Sequence, residues 1–145
     1  DPAAPEMSAI RFSDGMLSAD EVFNLEWKSP PYIVFNSACE SGRAAGGRKL
    51  VSAKNNSNGL AAAFIGAGVS AYAGYFWPVT DTGASLFARA FYKTLLEREN
   101  VGIAFLEARK YVIRELGEFG DLTGYSAVLY GDAASEHRRD LAMAK

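Results

Sequence analysis

The chain has one cysteine, Cys39, and one histidine, His137. A single cysteine excludes an internal disulfide and any Cys-rich zinc site, and it suits a reducing, cytoplasmic setting. The lone histidine lies in a charged tail, and neither a metal nor another cofactor is expected. There is no excess of positive charge: 15 Lys and Arg against 17 Asp and Glu leave a net charge of -2. The basic footprint that nucleic acid or an anionic membrane surface would require is therefore missing. Long hydrophobic runs are absent too. The most apolar stretch, Leu60 to Trp77, is interrupted by Gly66, Gly68, Ser70 and Gly74, so nothing in it reads as a bilayer span. The chain opens Asp1-Pro2-Ala3-Ala4-Pro5, with neither an initiator Met nor a signal peptide, and is expected to be a piece cut from something longer.

Nucleotide signatures are also lacking. The loop from Gly42 to Asn58 holds Gly46-Gly47 and the cations Arg43, Arg48, Lys49 and Lys54. Gly47 is followed by Arg48-Lys49-Leu50, however, where a phosphate-binding loop would need Gly-Lys-Ser/Thr. Gly66-Ala67-Gly68 follows a helical pattern, whereas a dinucleotide fingerprint must follow a strand. A loop this long in a compact domain is usually functional or mobile.

What remains is an ordinary globular composition. The 145 residues, 49% hydrophobic and 22% charged, make one domain able to bury about two-thirds of its unfolded surface. Ala9 to Phe12 reads as a short strand closed by the turn Ser13-Asp14-Gly15. Ser18 with Glu21 three residues on forms a capping box for a short helix, which Ser29-Pro30-Pro31 stops. Tyr32-Ile33-Val34-Phe35 is a run of bulky β-formers bounded by turn residues, a buried strand that delivers Cys39 at its carboxyl end. An Ala-rich helix, Leu60 to Ile65, and a strand, Val69 to Trp77, come next, with Pro78 ending the strand. Asp81 or Thr82 is expected to cap an amphipathic helix running to Arg98, and Asn100 caps another that ends at Gly117. Tyr125 to Tyr130 reads as the last strand.

Strands alternating with helices imply an α/β fold with a mostly parallel sheet covered on both faces. Right-handed crossovers then bring Cys39 and the Trp77-Pro78 turn to one edge of the sheet, with Asp81 close by. Taken alone, Cys39 reads first as a small buried hydrophobe and Asp81 as a helix cap.

The ordered set of motifs changes the weight of those readings. Ser37-Ala38-Cys39-Glu40-Ser41-Gly42 is followed by Gly59-Leu60-Ala61-Ala62-Ala63-Phe64 and Gly66-Ala67-Gly68. Trp77-Pro78-Val79-Thr80-Asp81, a helix with Phe91-Tyr92 and a strand running from Tyr125 to Gly131 come after. Together they resemble a CHAT domain, the caspase-like cysteine peptidase domain related to separase and often found beside helical repeats. The resemblance spans roughly Ala9 to Asp132. It implies a caspase-like three-layer α/β/α sandwich whose amino-terminal portion is missing from this chain. Residues 1–132 would be a partial domain of this kind, and residues 133–145 a charged helical tail.

In such peptidases the cysteine after this strand is the nucleophile, and a histidine followed by glycine at the end of the preceding strand is its base. The resemblance thus makes Cys39 catalytic. A thiol of ordinary pKa near 8.5 needs an adjacent imidazole to react at neutral pH. Asp81 matches the position at which separases set an acidic residue against a basic P1 side chain, the residue before the scissile bond. Trp77 is expected to wall that pocket, with core packing as its alternative role. Some arginine-specific relatives carry an acid two residues before the cysteine; here that residue is Ser37, so basic P1 preference rests on Asp81 alone.

The sequence departs from the family at the base. Caspase-type histidines precede the cysteine by about 50 residues, and none of the residues ahead of Cys39 is histidine. His137 comes too late in the fold order to serve. The chain is therefore expected to be inactive in isolation. Either it is the carboxyl-terminal part of a peptidase, its histidine sits on a companion fragment, or the parent protein lost the base. Two functions stay open: a cysteine endopeptidase acting on a protein or peptide substrate, and a non-catalytic caspase-like interaction or assembly domain. The open sheet edge leads to an expected association with a companion amino-terminal segment of the same protein, or with a second copy as a homo-oligomer.

Overall fold

The computed structural model describes residues 8–38, 59–98 and 100–135. It begins with a hairpin in which β1 (Ala9–Arg11) pairs antiparallel with β2 (Met16–Ser18). The Phe12 N–H donates to the Gly15 carbonyl at 2.8 Å and closes the turn. β2 was not expected. It forms because the Ser13-Asp14-Gly15 turn leaves Met16 and Leu17 opposite Arg11 and Ile10. Ser18 ends β2 and caps α1 (Ala19–Phe23) through the expected capping box. The Ser18 hydroxyl accepts from the Glu21 N–H at 3.2 Å, and Glu21 Oε2 accepts from the Ser18 N–H at 2.7 Å.

The main sheet has three strands in the order β3-β4-β5: Ile33–Phe35, Ala71–Tyr75 and Ala127–Gly131. β3 and β4 are parallel, with Val34 opposite Tyr72. Between them in the chain comes α2 (Gly59–Gly66), ended by Gly68 at φ 96°, a left-handed conformation suited to glycine. The molecule is thus an α/β fold. Its last strand is a departure from the mostly parallel sheet expected, since β5 runs antiparallel to β4. The cause lies in the two helices between them. α3 (Asp81–Arg98) leads away from the carboxyl edge, and α4 (Val101–Leu116) packs back along it. The next strand must then run the opposite way.

α4 starts as expected, with Asn100 Oδ1 accepting from the Ile103 N–H at 2.9 Å. It ends in a 3-10 turn, Gly117–Phe119, closed by Gly120 at φ 78°. The stretch read as a strand from Tyr125 splits in two. Thr123–Ser126 is a single helical turn, α5, and the strand begins only at Ala127. The N–H groups of Tyr125 and Ser126 donate to the Leu122 carbonyl at 3.0 and 2.9 Å, so they are already spoken for when the ladder to β4 starts.

β4 is buried along its whole length, and its alternation sorts the two layers. Ala71, Ala73 and Tyr75 face α3 and α4, where Phe87, Phe91 and Phe105 fill the core. Tyr72 points the other way, into a second core with Val22 of α1 and Leu60 and Phe64 of α2. Tyr72 and Phe64 stack at 5.7 Å between ring centroids. Helices on both faces of one sheet make the three-layer arrangement. Beyond β5, residues 133–135 form a turn against the start of α4: the Ala133 carbonyl accepts from the Gly102 N–H at 2.9 Å, and the Ser135 carbonyl accepts from the Tyr32 hydroxyl at 2.7 Å. The rest of the tail, His137 included, lies outside the described residues.

Candidate site at the carboxyl edge of the sheet

Because β3 and β4 are parallel, their carboxyl ends open onto one edge of the sheet. The Asn36 N–H donates to the Ala73 carbonyl at 2.9 Å and carries the ladder one residue past β3. Asn36 Oδ1 then accepts from the Ala38 N–H at 3.1 Å, an Asx turn that bends the chain immediately before Cys39. Cys39 itself, and the basic loop of Gly42 to Asn58, lie outside the described residues.

On the neighbouring strand the chain leaves β4 through Phe76 and Trp77. Trp77 is 38% exposed, so it is not a core residue, and its ring meets Phe76 edge-on at 6.0 Å. Its backbone is held on both sides by one buried hydroxyl. Ser126 Oγ accepts from the Trp77 N–H at 3.0 Å and donates to the Trp77 carbonyl at 2.9 Å.

Asp81 is the first residue of α3 and is exposed. It does not cap the helix, and Thr82 does not either. Thr80 does: its hydroxyl oxygen accepts from the Gly83 N–H at 3.0 Å. A threonine directly before an aspartate offers two candidate caps, and spacing alone cannot separate them. The tertiary partner decides it, since the Thr80 hydroxyl donates to Asp121 Oδ2, 41 residues away. Asp81 is left with no hydrogen-bond or ion-pair partner among the described residues. Its carboxylate stands at the positive end of the α3 dipole, open to solvent.

Asp121 is the other anchor of this edge. Its Oδ1 accepts from the Thr123 N–H at 2.8 Å while Oδ2 accepts from the Thr80 hydroxyl. Burial alone would raise its carboxyl pKa, but the hydrogen bonds from Thr80 and Thr123 outweigh that and hold it below its ordinary value. A carboxyl that ionises more readily folded than unfolded stabilises the fold fully above its unfolded pKa, about 4. That contribution is lost as pH falls through the lower folded-state value. Urea midpoints measured between about pH 5 and pH 2 are therefore expected to fall less steeply for Asp121→Asn than for the wild-type chain. Superimposable pH slopes would contradict the anchor. Ser126, Asp121 and Thr80 were not among the site residues expected from sequence. Their partners are 41 and 49 residues away, and no local pattern marks them.

Among the described residues, no group of three or more His, Cys, Asp or Glu side chains could hold a metal ion, and no helix is long and apolar enough to cross a membrane. The parallel strands β3 and β4 define an α/β domain in which the chain turns at the carboxyl end of each. The family model of the CHAT domain matches residues 2–121, and the chain belongs to that family, one associated with caspase-like peptidases. The match stops short of α5 and β5. Among curated proteins, none matches the chain.

Proposed function

We propose that the chain is part of a CHAT-family cysteine endopeptidase working in a reducing, cytoplasmic setting. Cys39 is the nucleophile, Asp81 receives a basic P1 side chain, and Trp77 forms a wall of the same pocket. The observation that supports this best is the parallel pairing of β3 with β4. It brings the strand that leads into Cys39 and the segment carrying Trp77 and Asp81 to one edge, while Thr80 frees Asp81 from capping. The histidine base comes from a companion amino-terminal segment, which pairs with β3, an edge strand among the described residues.

In the assembled site the imidazole takes the Cys39 proton, and the thiolate attacks the scissile carbonyl carbon. The Cys39 N–H, with an N–H from the histidine turn, stabilises the oxyanion. Collapse of that intermediate breaks the C–N bond, and the imidazolium gives its proton to the leaving amine. Water, deprotonated by the same imidazole, then hydrolyses the thioester. Asp81 contributes a charge-assisted hydrogen bond to arginine or lysine.

The test is labelling of Cys39 by an arginyl acyloxymethyl ketone, with and without the companion segment. Rapid labelling is expected only in the assembled protein and none in Cys39→Ala. If the assembled protein is not labelled while iodoacetamide still alkylates Cys39, the peptidase reading is wrong. The interaction-domain reading would then lead. It has its own support in Ile103 and Leu106, apolar residues one turn apart on α4 that are half exposed.

A further inference from the structure

We propose that α5 is the positioning element of the specificity segment, residues 76–83, and that Ser126 and Asp121 hold that segment ready for a basic side chain. This rests on the peptidase reading. Ser126 and Thr123 are the buried polar residues of the described core, and both lie on this one helical turn. Buried hydroxyls are normally hydrogen-bonded. That of Ser126 is bonded to the Trp77 backbone, whereas that of Thr123 has no hydrogen-bond partner among the described residues and stands against Gly83 of the same segment.

Ser126 does what a backbone would do. The β4–β5 ladder ends at the pair Tyr75 and Ala127, and the Phe76 N–H still reaches the Ser126 carbonyl at 2.8 Å. At Trp77 no opposing strand residue remains, because Ser126 belongs to α5. Its side chain takes over, exchanging both hydrogen bonds with the Trp77 backbone as an antiparallel partner would. Three residues on, Asp121 fixes Thr80 and through it the first turn of α3. The segment is thus pinned at Trp77 and at Thr80, with Asp81 directly after the second pin.

Two close approaches seat α5 for this task. A Cβ on Gly83 would fall on the Thr123 hydroxyl oxygen, and 2.8 Å from Thr123 Cβ. A Cβ on Gly124 would stand 2.6 Å from Ile113 Cγ1 and 2.9 Å from the Arg109 carbonyl. Arg109 Nε also donates to the Gly124 carbonyl at 2.9 Å, tying α5 to α4. A turn held this tightly transmits its position to the segment it grips.

The experiment compares Cys39 labelling by arginyl and norleucyl acyloxymethyl ketones in the assembled protein, with hydrogen exchange of the amides of residues 76–83 in parallel. In Ser126→Ala the arginyl rate is expected to fall tenfold or more while the norleucyl and iodoacetamide rates stay within about twofold. Asp121→Ala, at a more exposed position that disturbs the core less, is expected to lower the same ratio. Amide exchange in residues 76–83 should quicken in both variants while α4 stays protected. Folded variants that keep the wild-type arginyl preference overturn the proposal. Should the wild-type protein itself show no arginyl preference, the basic-pocket reading fails instead. The exchange data then decide for α5: unchanged exchange overturns its role, and local quickening upholds it.

Discussion

Replacing Asp81 with alanine is expected to lower kcat/KM of the assembled peptidase for an arginyl substrate by about 30- to 1,000-fold, roughly 2–4 kcal/mol of lost transition-state binding. The size follows from what the carboxylate would do once a substrate covers it. In the free protein it is exposed, and no described residue competes for its pairing with a guanidinium. A closed, desolvated ion pair with parallel hydrogen bonds is among the stronger polar contacts available. The fold should hardly notice the change. Thr80 performs the capping, and Asp81 adds only its interaction with the α3 dipole, about 0.3–1 kcal/mol. A substrate with norleucine at P1 should be cleaved as well as before. Equal losses for both substrates would mean that Asp81 supports the fold or the chemistry rather than recognition, and no loss for either would remove it from the pocket.

Phe91→Ala is expected to destabilise the chain by about 3–5 kcal/mol, read from urea unfolding at constant denaturant slope. Phe91 is fully buried in the layer between the sheet and the helix pair. Its ring lies 5.6 Å from Phe35, 6.4 Å from Phe87 and 6.5 Å from Phe105, joining β3, α3 and α4 in one aromatic cluster. Deleting it removes the transfer contribution of the ring and leaves a cavity among rigid neighbours that cannot collapse into it. Phe119→Ala, at a position 82% exposed, is the comparison, with an expected change within about 0.5 kcal/mol. Similar costs for the two would show that the core is not centred on these rings. Phe35 ties the cluster to the segment that leads into Cys39, since it is the last residue of β3.

Most of this molecule was legible in one dimension. The helical spacing of Leu86, Phe87, Ala90, Phe91, Leu95 and Leu96 read as one apolar face of α3; Phe87, Phe91 and Leu95 are buried, Leu86 and Ala90 half-buried, and Leu96 is exposed. The capping signals at Ser18 and Asn100 marked where helices begin. The apolar run of Tyr32 to Phe35 read as a buried strand; Ile33–Phe35 form it, half-buried because β3 is an edge strand among the described residues. The motif order pointed to the CHAT family. These features depend on neighbours within about a helical turn, where the identity of a residue and its spacing carry the physics.

Three things were decided only in space. The direction of β5 depends on α3 and α4 packing as a pair, which no single segment specifies. The division of Tyr125 to Tyr130 into a helical turn and a strand depends on where the ladder to β4 can begin. The cap of α3 depends on Asp121, whose carboxylate draws the Thr80 hydroxyl into place and so leaves Asp81 open. Local sequence determined the elements and the candidate chemical groups, because backbone hydrogen bonding and side-chain periodicity are short-ranged. Tertiary structure determined which polar group is engaged and which is free, because a hydrogen bond across 41 residues exists only after the core has brought its partners together.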